Sequence, residues 1–315
     1  MAKKHPSWER RTIICCIFAL SINEQTTMKK IFSVILTAVS AVVMLSCEGK
    51  IEQPARDILS EVRSEFKAGN YNRAKMLIDS VKLAHPKAYK TLREAEALRH
   101  EVLIREKERD IAYFDSEMLR LVELRDTMLK EFDYSKNAKY QDMGIYSVPS
   151  QAISKNAFNT FLRATVKENG EAVLTSYYRG ARIGHKVLKV ACGEVYVSAE
   201  NSIYSWSGKE HGVYVERRDY KRGDDGGIMD LVAASDGKIV VELSGGTREF
   251  VYELRQEDVK AITMVKELSD VLLSIAECHE MLDAAQYSLD FLMKGNERFK
   301  KDTLQTENGK VESEN

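Results

Sequence analysis

An apolar series with helical spacing near the C-terminus limits the possible folds of this chain more than any other feature. Its members alternate steps of three and four residues over 261–292. They are Ala261, Met264, Leu268, Val271, Ile275, Cys278, Leu282, Ala285, Leu289 and Leu292. This alternation is typical of a coiled-coil seam. We therefore predict one long helix over 257–300 that packs on an earlier helical region, followed by a disordered polar tail over 301–315.

The earlier helical region is predicted over 47–157 and consists of a hairpin and a long charged helix. The two apolar faces of the hairpin are formed by Ile58, Leu59, Val62 and Phe66 and by Ala74, Leu77, Ile78 and Val81. The long helix carries a second seam, interrupted by Arg125, at Ile111, Phe114, Met118, Leu121, Met128 and Phe132. The C-terminal seam pairs either with this helix or with a second copy of itself, and the sequence does not separate the two arrangements.

The central region, 158–256, has the alternating pattern of β-strands. We predict strands over 161–166, 173–178, 185–190, 194–198, 212–217, 239–243 and 250–254, separated by glycine-rich turns. Many short strands with tight turns indicate an antiparallel sandwich or a small barrel. The predicted fold class is therefore α+β, with a helical hairpin and long coiled-coil-like helices flanking the β domain.

The N-terminal region has the layout of an export signal. Met28, Lys29 and Lys30 precede a short apolar run over 31–43, and Ser46 and Cys47 follow. The run is shorter than a membrane-spanning helix requires. The pattern resembles the bacterial lipobox, which predicts a signal peptide over 28–46 and a lipid on Cys47. Residues 1–27 are then predicted to lie upstream of the true start codon, although a second apolar run over 12–20 would alternatively extend the membrane segment.

Few residues in the predicted mature chain carry a recognisable chemistry. The formal net charge of −1 offers no basic excess for nucleic acid. Histidines are scattered, and the metal, nucleotide and serine-hydrolase motifs are missing, so we predict no metal, no cofactor and no catalytic residue. Asp224, Asp225 and Asp230 are candidate calcium ligands, but turns of this composition are common structural elements.

Two cysteines of the predicted mature chain remain after Cys47, and their state is open. Cys192 and Cys278 would form one disulfide in an oxidising compartment. Cys278, however, falls on the apolar seam, which favours a small buried side chain for it.

A group of aromatic residues is the candidate binding surface. It comprises Tyr177, Tyr178, Tyr204, Trp206 and Tyr214, with Tyr220 nearby. Aromatic side chains on a β face stack on sugars or anchor a protein partner. Alternating aromatics also fill sandwich cores, and that alternative is kept. By the same reasoning His185 and His211 are expected to be structural residues.

Two sets of residues resemble known families. Gly69, Tyr71, Ala74 and Pro86 resemble the second half of a single tetratricopeptide repeat, although the signature of the first helix is missing. Together with the leader over 28–47, the turn at 180–185 and the closing heptad helix, they make the chain similar to uncharacterised Bacteroidales lipoproteins. The resemblance implies an envelope location and no known activity.

Two functions follow as expectations. The first is a non-catalytic binding or scaffolding protein, lipid-anchored in the outer membrane facing the periplasm, whose β domain binds a protein or a glycan. The second is an envelope enzyme that acts on a glycan or peptidoglycan-type polymer. An enzyme requires converging titratable groups, for example around His185, His211 and Glu216, and the sequence favours the non-catalytic role. The oligomeric state is not determined.

Overall fold

The computed structural model describes the backbone of residues 50–311 and the side chains of residues 50–295. The predictions on the leader and on Cys47 lie outside the described residues. The chain folds as an α+β protein, as predicted, and divides into two compact units. Within the described part, 50–106 and 291–311 belong to the first unit and 107–290 to the second. None of the helices in the described part is long and apolar enough to cross a membrane.

The first unit contains a helical hairpin and the start of a long helix. Helix α1 covers 50–67, α2 covers Tyr71–Ala84 and α3 covers Tyr89–Met128. Gly69 takes φ +79° in the turn between α1 and α2, a conformation that favours glycine. The buried residues of this hairpin and α3 include Leu59, Val62, Ala74, Leu77, Ile78, Ala95 and Val102. The predicted faces of the hairpin therefore pack against each other and against α3.

A buried carboxylate fixes the beginning of α3. Glu52 of α1 accepts hydrogen bonds from the backbone N–H groups of Lys90 (3.2 Å) and Thr91 (3.0 Å) and from the Thr91 hydroxyl (2.6 Å). Helix N-termini leave such N–H groups without partners inside the helix. Glu52 thus acts as a cap supplied by another helix.

The second unit contains two antiparallel sheets. The strands are β1 Asp133–Ser135, β2 Ile145–Ser147, β3 Phe161–Lys167, β4 Ala172–Gly180, β5 Val187–Cys192, β6 Val195–Ala199, β7 Tyr204–Glu210, β8 Val213–Lys221, β9 Ile239–Ser244 and β10 Phe250–Glu253. One sheet has the order β1-β2-β3-β4-β8-β7 and the other the order β10-β9-β5-β6. The sheets are not closed into a barrel, so of the two predicted β architectures the small barrel is wrong.

A single apolar core joins the sheets to the helices of the second unit. It includes Leu174 of the six-stranded sheet, Leu188 and Val241 of the four-stranded sheet, and the short helix α4, Ile228–Ala234. Helix α5, Gln256–Val311, adds Ala261 and Leu268 of its seam and the adjacent Ile262. Successive side chains of a strand point to opposite faces. We call the face of the six-stranded sheet that enters this core the inner face and the opposite one the outer face.

The seam of α5 is covered, fully or in part, by other residues of the same chain. Each of its ten predicted positions is buried or half-buried. The thiol of Cys278 lies close enough to Glu117 and Arg120 of α3 to interact electrostatically with them. Cys192 and Cys278 are both free thiols, so the alternative of a disulfide between them is wrong. Helix α5 continues to Val311, so the boundary predicted at residue 300 falls within a helix.

Candidate functional site

The outer face of the six-stranded sheet carries aromatic and guanidinium side chains in two rows that run across four strands. The antiparallel register places Arg163, Thr175, Asp219 and Tyr204 opposite one another in the first row. It places Phe161, Tyr177, Arg217 and Trp206 in the second. We call these eight residues the platform. At the usual strand spacing it is about 14 Å wide.

The centre of the platform is a hydrogen-bonded charge cluster. Arg217 donates to both carboxylate oxygens of Asp219, at 3.2 and 3.0 Å. Thr175 donates to the same carboxylate at 2.8 Å. The guanidinium of Arg217 also lies over the ring of Tyr204, 5.5 Å from its centroid. These contacts hold Arg217 in one orientation, over an aromatic ring.

Arg163 gives the platform an excess of positive charge. Its Nε donates to the backbone carbonyl of Gln151 at 3.1 Å. Burial lowers the pKa of its guanidinium, and the nearby positive charge of Arg217 lowers it further, while Asp219 raises it. Two guanidinium groups therefore lie near one carboxylate, which is hydrogen-bonded to Arg217 alone of the two. An additional anion bound here would relieve their mutual repulsion.

Trp206 forms an open aromatic surface at the edge of the sheet. A Cβ atom on Gly208 would lie 2.7 Å from Cζ2 of Trp206, so the indole covers this glycine, its neighbour along the same face of β7. The side chains of Trp206 and Tyr204 remain 39% and 48% exposed. The missing side chain at Gly208 thus lets the ring lie along the strand while Trp206 stays partly exposed.

The structure divides the aromatic residues predicted as one surface between two faces. Tyr177, Tyr204 and Trp206 lie on the platform, where the hydroxyl of Tyr177 donates to Glu210 at 3.0 Å. Tyr178 and Tyr214 have the opposite strand parity and belong to the inner face, and Tyr178 is only 3% exposed. Tyr220 is likewise a core residue. The sequence analysis did not identify Arg163, Thr175, Arg217 and Asp219. Alternation along β3, β4 and β8 places these residues on the same face as the platform aromatics.

A second polar group lies on the inner face and has the connectivity of a hydrolase triad. The Ser176 hydroxyl lies 2.9 Å from Nε2 of His185, and Nδ1 of His185 lies 2.9 Å from a carboxylate oxygen of Glu216. The sequence named His185 and Glu216 as one example of a converging pair, and the structure brings them together. It adds Ser176, and it places His211 elsewhere, in the turn between β7 and β8, near the ring of Phe158.

Burial and hydrogen bonding make this group structural. Ser176 and His185 are 0% exposed and Glu216 is 4% exposed. Glu216 also accepts the backbone N–H groups of Ile183 (2.9 Å), Gly184 (2.7 Å) and His185 (3.0 Å). These four contacts hold the irregular segment between β4 and β5. A nucleophile needs access to its substrate, and Ser176 lies in the middle of a strand that faces the core.

Stability is expected to depend on the protonation of His185. Burial lowers the pKa of its imidazole below the ordinary value of 6.5, and the hydrogen bond to Glu216 offsets this only in part. The folded protein then binds fewer protons than the unfolded chain as the pH falls below that value. The free energy of unfolding should therefore decrease with falling pH, down to the lowered pKa of the folded state.

Denaturant unfolding between about pH 5 and pH 8 measures this dependence. His185→Gln should remove most of the slope below neutrality, although it also lowers stability at every pH. The matched control is His279→Gln, because His279 is highly exposed on α5 and pairs with Asp283. An unchanged slope in His185→Gln would contradict the assignment of a buried neutral imidazole.

Two of the three candidate calcium ligands have structural partners, and the third, Asp224, is exposed. Asp225 is buried and accepts the backbone N–H groups of Gly223, Gly227 and Met229 at the start of α4. Asp230 pairs instead with Arg222. Within the part of the chain that the structure describes, no group of three or more His, Cys, Asp or Glu side chains is arranged to hold a metal ion.

Comparisons of the whole chain with protein-family models, with curated proteins and with solved structures find no match.

Proposed function

We propose that this chain is a lipid-anchored envelope protein that binds a protein or glycan partner, without catalysing a reaction, through the platform. The observation that carries this proposal is the combination of exposed aromatic rings and a pre-oriented guanidinium in adjacent cross-strand rows. Rigid aromatic and arginine side chains are the residues that most often dominate the free energy of binding. Hydrogen bonds to Asp219 and to the backbone carbonyl of Gln151 hold Arg217 and Arg163 before a partner arrives, which reduces the entropy lost on binding.

The non-catalytic role rests on the contrast between the two faces of the sheet. The platform is exposed at its β7 end, its residues Phe161, Thr175, Tyr177 and Asp219 are buried, and its two rows contain no histidine and no serine. The group with triad connectivity is closed, and Glu216 is fully used as a backbone acceptor. The alternative, an envelope enzyme, would need Ser176 to reach solvent.

Mutation of Ser176 separates these alternatives. Ser176→Ala is expected to lower the free energy of unfolding by about 1–2 kcal/mol, because Nε2 of His185 loses its partner. It should leave hydrolysis of ester, glycan and peptidoglycan substrates at the background of a blank reaction, where the unmodified protein should also lie. Turnover by the unmodified protein that disappears in Ser176→Ala would contradict the proposal.

The lipid anchor is supported by the sequence of the leader and is tested by fractionation of cells that express the full chain. Cys47→Ala is expected to move the protein from the membrane fraction to the soluble fraction, because the thiol accepts the lipid in the pattern that 28–47 resembles. Cys192→Ala is the matched control and should remain with the membrane. If the Cys47→Ala protein stays in the membrane fraction, the anchor is wrong.

The position of the anchored protein, in the outer membrane facing the periplasm, is part of the same proposal. The residues after Cys47 begin Glu48-Gly49-Lys50 and contain no strong acidic run. We take this as favouring the periplasmic side. Accessibility of the protein to protease in intact and in permeabilised cells tests it, and digestion in intact cells would place the protein on the surface instead.

A further inference from the structure

We infer that the platform binds an oligosaccharide that contains carboxylate-bearing sugars, with the rings on Trp206 and Tyr204 and a carboxylate between Arg163 and Arg217. This inference rests on the proposed function and adds the class of ligand. The inference is argued from the exposed rings of Trp206 and Tyr204, the single carboxylate of Asp219 near two guanidinium groups, and the width of the platform. Each points to a separate property of the ligand.

The aromatic side chains indicate a ligand with flat apolar faces. The indole of Trp206 lies over Gly208 and stays partly exposed, and the ring of Tyr204 is supported by Arg217. Both side chains come from the edge strand β7, two residues apart on the same face. Sugar rings present C–H groups on one face and hydroxyl groups at the rim, so they combine stacking with hydrogen bonding. Two neighbouring aromatic side chains fit successive rings of one oligosaccharide.

The charges indicate that the ligand is an anion. Arg163 and Arg217 approach each other across β3, β4 and β8, and Asp219 supplies the one carboxylate in the two rows. Both oxygens of Asp219 are used by Arg217, and Thr175 donates to one of them. A guanidinium binds a planar carboxylate through two parallel hydrogen bonds. A sugar carboxylate would therefore find its natural partner in Arg163.

The platform is covered at its β3 end and exposed at its β7 end. At the β3 end, Arg255 of the segment before α5 lies over Phe161, and the carbonyl of Gln151 holds Arg163. At the β7 end, the side chains of Tyr204 and Trp206 are exposed. An extended ligand would lie across the strands, with its charged group at the closed end and its rings towards the open end.

The test uses calorimetry to measure the binding of defined oligosaccharides to the purified full mature chain, which contains both units. The probes are tetragalacturonate, a hyaluronan tetrasaccharide and the methyl ester of tetragalacturonate. We expect at least one of the two acidic probes to bind, the ester of galacturonate to bind at least about tenfold more weakly than its acid, and added salt to weaken the acid's binding. A glutamate hexapeptide, which has the charge but no rings, should not bind.

Three variants test the geometry with the acidic probe that binds. Trp206→Ala and Arg163→Gln should each weaken binding about tenfold, since one removes the stacking surface and the other the partner of the carboxylate. Gly208→Ala should weaken it about fivefold without loss of stability, because the new Cβ would displace the indole while alanine suits a strand better than glycine. The matched control is Tyr196→Ala, whose exposed ring lies under Lys189 on the four-stranded sheet.

Several outcomes would overturn the inference. Equal binding of the acid and its ester would show that charge is not recognised. Binding of the glutamate peptide alone would assign the platform to a protein partner, which contradicts the inference but keeps the proposed function. The absence of binding by both acidic probes, or binding that Tyr196→Ala alters and Trp206→Ala does not, would also reject it. The proposed function itself would be contradicted by different results. These are a Cys47→Ala protein that stays in the membrane fraction, or hydrolysis that depends on Ser176.

Discussion

Replacement of Glu216 by alanine is expected to lower the free energy of unfolding by about 3–5 kcal/mol. The carboxylate accepts three backbone N–H groups from residues 183–185 and the Nδ1 proton of His185. Ile183 and His185 are buried and Gly184 is half-buried, so replacing the lost acceptor by water should require a rearrangement of the segment between β4 and β5. Burial by itself raises the pKa of Glu216, but the hydrogen bonds outweigh burial and lower it, which indicates that the anion is the stabilised form.

Denaturant unfolding measures this effect, and the surface of the other sheet provides the control. Glu242→Ala removes a carboxylate of the same type, paired with Lys189 at 3.2 Å on an exposed face, and should cost less than about 1 kcal/mol. Glu216→Gln should be nearly as damaging as Glu216→Ala, since its amide presents an N–H group to backbone donors. A loss below about 1 kcal/mol for Glu216→Ala would mean that the segment at 181–186 is held in another way.

Leu268→Ala is expected to cost about 2–5 kcal/mol, as large-to-small changes in a well-packed core do. Leu268 occupies a seam position of α5, is 0% exposed and belongs to the core that both sheets share. Because Leu268 is fully buried by residues of the same chain, the loss should be independent of protein concentration.

Thermal unfolding at several protein concentrations provides the measurement. Met281→Ala is the matched control, because Met281 lies on the same helix with 47% of its surface exposed, and its loss should stay within about 0.5 kcal/mol. If the midpoint instead rises with concentration for the unmodified protein, the seam is completed by a second copy. That result would restore the dimeric alternative.

The helices were predictable because their pattern is local. The alternation of three and four along 261–292 is a direct consequence of helical geometry, and every member of the series is buried or half-buried. The hairpin faces around Val62 and Ala74 follow the same rule. Their periodicity can be read along one segment, without knowing what packs against it.

The platform could not be predicted, because it depends on which strands are neighbours. Tyr204 and Trp206 lie in β7, whose sequence of serine, glycine and lysine gives a weak strand signal. Their partners Asp219 and Arg217 are identified only by the register of β7 on β8. Without the strand pairing, we had grouped Tyr178 and Tyr214 with the platform aromatics, although alternation along the strands places them on the other face.

The short elements were missed for related reasons. Strands β1 and β2 have three residues each, too few to show alternation, and the β domain therefore begins before the predicted residue 158. Helix α4 is a single short helix within a region of strands, started by the buried carboxylate of Asp225. Ser176 carries no local signal that distinguishes it from any other serine, so its place beside His185 emerges only in three dimensions.

Photo-crosslinking in intact cells tests the central claim, that the platform is the surface that binds a partner. A photoreactive phenylalanine analogue is placed at Tyr204 on the platform or, as the control, at Tyr196 on the four-stranded sheet, where the side chain is also exposed. We expect a discrete adduct from position 204 that Arg163→Gln reduces, and none from position 196. Equal labelling at both positions, or no adduct at 204, would contradict it.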